Sequence, residues 1–403
     1  MPDVIKFYYK TMLGEEKSSL TATTTFSSSM LDYNVKNIHD MLEAKMWKAS
    51  STTHYMNQYI MHDCGDDAPE GESSEINSEN VSIYDTVNIR LSQDPLPATP
   101  KFKVLNKTVR INEVVQNILT ANKVIVNVNG SPYDITFDGT HIWVVENFYK
   151  NAHKIDINTN TVVATVAVGK DPKRIFFDGT YIWVSNNNSD NVSKINISTN
   201  AVIKTIKTGT EPQGITYDSS RSRIWVANYG SNNVSKINWN TDTVAKTITV
   251  GTGPRGIIYA NDKIWVANSA SSTISKINPA TDNVVETISV GSNASPHSLV
   301  YDGSYLWVSL ADVDKVKKIN VSTNAVVATI DVGSQPRGMY FDGTYLWVSN
   351  RSGESLSKIN VTTNAVVETI YTASSSGPRA ITSDGTNLWV ACSFNGTVEK
   401  LLV

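Results

Sequence analysis

Beyond residue 122 the chain is a succession of short apolar runs cut by turn chemistry. Val, Ile, Thr and aromatic residues come in stretches of five to seven, separated by Asp-Gly, Asn and Gly-Pro. β-Branched and aromatic runs bounded in this way predict strands joined by tight turns. The pattern then repeats. An [IL]-W-V unit, preceded by Asp-Gly and two more residues in five of its copies, recurs seven times and sets tryptophans at Trp143, Trp183, Trp225, Trp265, Trp307, Trp347 and Trp389, spaced by 40 or 42 residues. In the second copy a first strand over Arg174–Phe177 follows Pro172 and ends at Asp178-Gly179-Thr180. The next strands are Tyr181–Ser185, Val192–Asn196 and Ala201–Lys207, with a loop over Asn187–Asn191 and a turn at Ser198-Thr199-Asn200. Four strands in about 40 residues make a propeller blade, and seven copies fall within the usual range of blades. The extra residues of the longer units sit in Ser219–Arg223, Ser292–Ser295 and Thr372–Gly377, all connections, where a packed sheet tolerates insertion.

The ends of this region predict how the ring closes. The last copy stops in its third strand, Thr397–Val403. The first copy is preceded by Lys123–Val128, which matches the fourth strand of the other units. Pairing the two would leave no open repeat edge, and truncating either end should open the ring. Each tryptophan lies inside a β run between Ile or Leu and Val, which predicts packing between blades rather than a ring of ligand-stacking aromatics.

Units such as VSKINISTNAVIKTIKTGTEPQGITYDSSRSRIWVANYG resemble the YVTN/NHL-type seven-bladed propeller family, and the resemblance covers residues 123–403. The chain lacks the GH…WD pairs of WD-repeat propellers and the S-x-D-x-G-x-x-W boxes of sialidases. The expected fold class is all-β: a seven-bladed β-propeller closed by its N- and C-terminal strands, preceded by a small jelly-roll-like domain and a short helical linker. Such propellers host binding, scaffolding and catalysis alike, so the fold alone does not assign a function.

Residues 1–122 differ in chemistry. They carry 11 Lys and Arg against 16 Asp and Glu, whereas the whole chain nets −3. Four pieces within residues 18–65 resemble the galactose-binding-like, discoidin-type jelly roll found in phage tail proteins. They are Thr21-Ala22-Thr23-Thr24, Val35 to Asp40, Trp47-Lys48-Ala49-Ser50-Ser51 and Gln58 to Gly65. The pattern departs after Gly65, where Asp63 to Glu79 holds seven carboxylates and no cation. Ile111, Val114, Val115, Ile118 and Leu119 fall on one helical face, which predicts a short helix, with a strand as the alternative. The expected domains are therefore 1–105, jelly-roll-like and anchoring; 106–122, linker; and 123–403, propeller.

The near-neutral charge argues against nucleic acid as a partner. No run approaches roughly 18 apolar residues, and no Sec-type leader is visible, so neither a membrane span nor Sec export is expected. Cys64 and Cys392 make no CxxC or disulfide framework. The run His62 to Asp67 lacks zinc-site and EF-hand spacing, and no metal or cofactor is expected.

The residue after each blade's proline is the most informative candidate: Tyr133, Lys173, Gln213, Arg255, His297, Arg337 and Arg379. In a propeller this position enters the innermost strand at the mouth of the channel, so four permanent cations and a histidine converge there. The next residue is small in five blades (Gly214, Gly256, Ser298, Gly338, Ala380). Blades one and two carry Asp134 and Arg174 instead, placed for an ion pair across adjacent blades. Converging cations attract anions, and arginine forks suit carboxylate or phosphate. The alternative is a set of solvated arginines stacked on neighbouring strands. The loops between second and third strands should open on the same face; they offer Tyr149, Tyr229, Arg351 and Phe394 for recognition, although their Asn, Ser and Gly are also ordinary turn formers.

Among these residues catalysis has little support. His141, His153 and His297 are the propeller's histidines, and none belongs to a paired motif. Resemblance to lyase-type propellers, which use a channel-mouth histidine with a metal-bound activator, singles out His297. The expected function is non-enzymatic: a structural or adhesion component of a tailed bacteriophage virion. Residues 1–122 would attach to other tail or capsid proteins, and the propeller would bind a host surface glycan or another anionic ligand, as a homo-oligomer within a larger assembly. The alternatives are a bacterial extracellular or surface propeller scaffold and, third, a propeller lyase or hydrolase.

Overall fold

The computed structural model describes residues 123–402 and, ahead of them, three short strands, Asp3–Ile5, Thr25–Phe26 and Leu91–Ser92. The chain divides into two compact units at Asn122/Lys123. In the first, Asp3–Ile5 pairs antiparallel with both other strands. The expected jelly-roll topology, the linker helix over 106–122, the carboxylate run and Cys64 otherwise lie outside the described residues.

The second unit is a seven-bladed β-propeller. Each blade is a four-stranded antiparallel sheet with its strands in sequence order, except the blade holding Pro378–Ser383, Asn387–Cys392 and Thr397–Leu402. There the fourth strand is Lys123–Asn127, which pairs antiparallel with Thr397–Leu401. The ring is closed as the two chain ends predicted. First strands of successive blades contact one another all the way round, including Pro378–Ser383 with Pro132–Phe137, so they form the inner wall. Among the described residues the one helical element is a single 3-10 turn, Asn187–Ser189, in the loop between second and third strands of blade two.

The core lies between blades. Each tryptophan is essentially out of contact with solvent and packs in a cluster that draws on two neighbouring blades. The Asp-Gly turn sets the indole's height. Asp178 Oδ1 accepts the backbone N–H groups of Thr180 and Tyr181, and Oδ2 accepts Trp183 Nε1–H at 2.6 Å. The same arrangement recurs at Asp138, Asp302, Asp342 and Asp384. Two of the seven copies depart from it. In blade four Trp265 Nε1 donates to the carbonyl of Ala260, and in blade three Trp225 Nε1 has no acceptor. The reason is local: blade three replaces Asp-Gly with Asp218 and the Ser219–Arg223 insertion, whose Arg221 takes up the Asp218 carboxylate.

A ring of lysines ties blade to blade. Lys154, Lys194, Lys236, Lys276, Lys318, Lys358 and Lys400 occupy one position of the third strand, each ammonium 4.7–5.3 Å from the centroid of its own blade's tryptophan. Six of them reach into the next blade's turn between third and fourth strands. Lys236 donates to the Pro279 carbonyl at 2.9 Å and to Asp282 Oδ1 at 2.6 Å. Lys400 crosses the closure to the Ile157 carbonyl and Asn160 Oδ1. The acceptors Asn160, Asn200, Asp242, Asp282, Asn324 and Asn364 stand at φ between 54° and 61°. Short amide and carboxylate side chains tolerate that left-handed backbone, so the turn chemistry also supplies the latch. Lys358 is the exception. Blade seven takes its fourth strand from the other end of the chain and has no such turn, and Lys358 pairs with Glu368 of its own blade at 3.4 Å instead.

Candidate functional site at the mouth of the channel

In every blade the pairing of first and second strands slips just after the proline, for example between Pro212 and Ile215, Pro296 and Leu299, or Pro336 and Met339. The slips in the other four blades fall at the equivalent place. A bulge takes residues out of the ladder and re-aims their side chains. The residues so released are Tyr133, Lys173, Gln213, Arg255, His297, Arg337 and Arg379, the positions singled out in the sequence.

Second-strand serines hold the bulges. Ser349 Oγ accepts the Gly338 amide of its own blade and donates to the Arg379 carbonyl of the next. Ser185 and Ser309 make the equivalent bridges. The small residue beside the bulge follows from close approach of the inner strands. A Cβ built on Gly256 or Gly338 would stand 2.6 Å from the carbonyl oxygen of His297 or Arg379 in the next blade. In blade one Asp134 takes that place: its carboxylate pairs with Arg174 at 3.2 Å and accepts the Ile175 amide at 2.9 Å. This is the cross-blade ion pair anticipated from the sequence.

The loops between second and third strands open on the same face. Tyr229, Arg351 and Ser393 each donate a backbone N–H to the segment just before an inner strand, at Glu211, Gln335 and Gly377. Loop and bulge side chains meet: the Arg255 guanidinium lies 4.6 Å over Tyr229, and Arg351 lies 4.4 Å over Phe394. Tyr149 and Phe394 are exposed on the rim, as is Phe148 beside Tyr149, which the sequence reading passed over. Tyr133 is buried with Arg379 3.4 Å and Lys173 4.3 Å from its ring centroid, so its aromatic face is occupied by the protein's own cations. Gln213 is buried in the inner wall.

The charges interact strongly. His297 is 3% exposed, and burial together with Arg337, Arg174, Arg255 and Arg379 holds its pKa well below the ordinary value, so the imidazole is neutral at pH 7. Burial lowers Arg379 to about 9, Arg337 and Arg351 adding to the effect. Arg337 and Arg351 are lowered as well, chiefly by burial. Burial without a counter-charge produces this direction of shift. Two of the mouth's cations have local partners that the sequence reading had not assigned: Lys173 pairs with Asp171 at 2.7 Å, and Arg255 Nε donates to Ser269 Oγ at 2.9 Å.

A lyase-type metal centre does not fit here. The charges that His297 feels are guanidinium groups, which repel a cation. Among the described residues no group of three or more His, Cys, Asp and Glu side chains is placed to hold a metal ion. Nor, among them, is any helix long and apolar enough to cross a membrane.

No protein-family model matches the sequence, and no curated protein matches it. Solved structures do resemble the fold. Hydrazine synthase from Kuenenia stuttgartiensis superposes with a TM-score of 0.61 at 22% identity, over 68% of this chain and 96% of that one. A streptogramin B lyase gives 0.61 at 17% identity, over 70% and 98%. A catalytically inactive histidine-to-alanine variant of virginiamycin B lyase from Staphylococcus aureus, with quinupristin, gives 0.62 at 17%, over 70% and 99%. At these identities the likeness establishes the seven-bladed propeller and no more.

Proposed function

We propose that the chain is a binding propeller whose arginine-lined mouth takes an anionic ligand, within a structural or adhesion component of a tailed bacteriophage virion. The observation that carries the anion reading is that the strand bulges bring Arg337 and Arg379 to the channel mouth, where neither pairs with a described carboxylate and the charges of both bear on the buried His297. Leaving cations desolvated and unpaired is costly, and an incoming anion relieves that cost. The virion setting rests on the phage-tail-like pieces within residues 18–65; residues 1–122 would meet the other virion proteins there, and the propeller would face a host surface glycan. Many weak contacts multiplied by copy number would supply adhesion.

Two experiments test this reading. Full-length protein should bind acidic glycans on an array, and charge-removing substitutions at Arg337 and Arg379 should abolish that binding. Cryo-EM of the native particle should show residues 1–122 against the tail or capsid. A bacterial cell-surface particle in place of a virion would move the same binding chemistry to the alternative setting.

The structural likeness to streptogramin-type lyases, together with a neutral His297 at the mouth, favours a second reading: a lyase acting there. Full-length protein incubated with quinupristin and a divalent cation should leave its mass spectrum unchanged. Conversion that disappears in His297→Ala would replace the binding reading with the catalytic one.

A further inference from the structure

We propose that the mouth is a phosphate site built on one flank of the ring, taking a terminal phosphate that is either part of a phosphate monoester or free orthophosphate. The inference rests on the anion-binding reading above and narrows it. The mouth has two unlike flanks. On the side of blades one to four the cations have partners: Arg174 with Asp134, Lys173 with Asp171, and Arg255 with Ser269. On the side of blades five to seven, Arg337, Arg351 and Arg379 make no ion pair with any described carboxylate. The Nε of each is closed off from solvent and has no acceptor. Arg351 Nη1 reaches Gln335 Oε1 only at 3.5 Å, and Asp312 is the carboxylate whose charge is felt by Arg337. Beside them His297 and Arg379 are both more than nine-tenths buried, and His297 Nδ1 likewise lacks a partner.

The number of donors selects the ligand. An arginine approached end-on offers one N–H from each Nη as a parallel pair, which grips two oxygens of one group. An ionised carboxylate has two oxygens and about four lone-pair sites, too few for three forks. A phosphate monoester has three terminal oxygens and a charge of about −1.5 to −2 at pH 7. Three forks match three oxygens, and His297 is left for the remaining lone pair or the ester oxygen. Phe394, exposed and seated under Arg351, offers an aromatic surface to the organic part of a monoester.

The test is isothermal titration of the full-length protein, at constant ionic strength, with glucose 6-phosphate, orthophosphate, glucose and acetate. Both phosphates should bind, with acetate at least tenfold weaker and glucose silent. A tighter glucose 6-phosphate identifies a monoester as the ligand, and equal affinities identify free phosphate. Arg351→Gln, a loop substitution, should weaken phosphate at least tenfold, as should Arg379→Lys, while Lys246→Gln on an outer strand should not. Acetate binding as tightly as phosphate would overturn the phosphate assignment and leave the anion site standing. Absence of binding by every anion would remove both. Phosphate binding that survives in Arg351→Gln and Arg379→Lys would place the site elsewhere.

Discussion

Two rings of cations run round this propeller, and the same sevenfold repetition has given them opposite environments. The third-strand lysines lie against tryptophan and, in six blades, end on a carbonyl and an amide or carboxylate oxygen of the next blade. The first-strand cations sit on bulges at the channel mouth, where three arginines keep buried N–H groups without acceptors. A satisfied buried cation holds structure together. A cation left without a counter-charge carries an electrostatic cost that a bound anion lowers. The comparison assigns the first ring to closure of the toroid and the second to recognition.

The sharpest way to break the comparison is at the closure itself. Deleting residues 1–130 removes the strand Lys123–Asn127 and exposes the edge Thr397–Leu402. The remaining chain should aggregate or form concentration-dependent oligomers by size-exclusion light scattering. Next in size is the latch. Lys194 is buried, reaches Asp242 at 2.8 Å and lies over Tyr181, Trp183 and Trp239. Lys194→Ala should cost about 3 kcal/mol in urea unfolding, whereas Lys358→Ala, whose partly exposed ion pair stays within one blade, should cost about 1 kcal/mol or less.

The mouth should respond in the other direction. Arg337→Gln removes a half-buried cation with no ion-pair partner among the described residues, so the melting temperature should hold or rise while anion binding falls; a drop matching that of Lys194→Ala would erase the distinction between the rings. The smallest effect is on pH dependence. His297 titrates in the unfolded chain near its ordinary value, but in the fold it stays neutral to lower pH because burial and Arg337, Arg174, Arg255 and Arg379 oppose its charge. The unfolded state therefore binds more protons as pH falls through about 6.5, and stability declines with acidification. Burial of His153 acts with the same sign. His297→Asn should flatten the fall in melting temperature between about pH 7 and pH 5, and a saturating anion should flatten it too.

Much of the fold was legible because it is written seven times. The spacing of Trp143 to Trp389, the Asp-Gly turns and the orphan strand Lys123–Val128 each report a local preference, and repetition averages away the exceptions. The Lys154-to-Lys400 ring was equally visible as a repeat but passed unnoticed, because its acceptors lie about 45 residues ahead in the next blade and only become neighbours when blades stack. At the mouth the residue positions were readable from the proline, and so was the Asp134–Arg174 pair, since both ends fall at one repeat position. The partners of Lys173 and Arg255 were not. Asp171 and Ser269 look like ordinary turn residues until the bulge turns a cation toward them.

Sequence alone determined the blade count, the strand pattern, the closing strand and the set of residues entering the channel, because these depend on periodicity and turn chemistry within about 40 residues. Tertiary structure decided which of the converging charges are neutralised and which are not. Nearly identical repeats carry nearly identical local instructions, so the difference between Lys173, which meets Asp171, and Arg379, which meets no described carboxylate, arises only once the bulges have aimed the side chains.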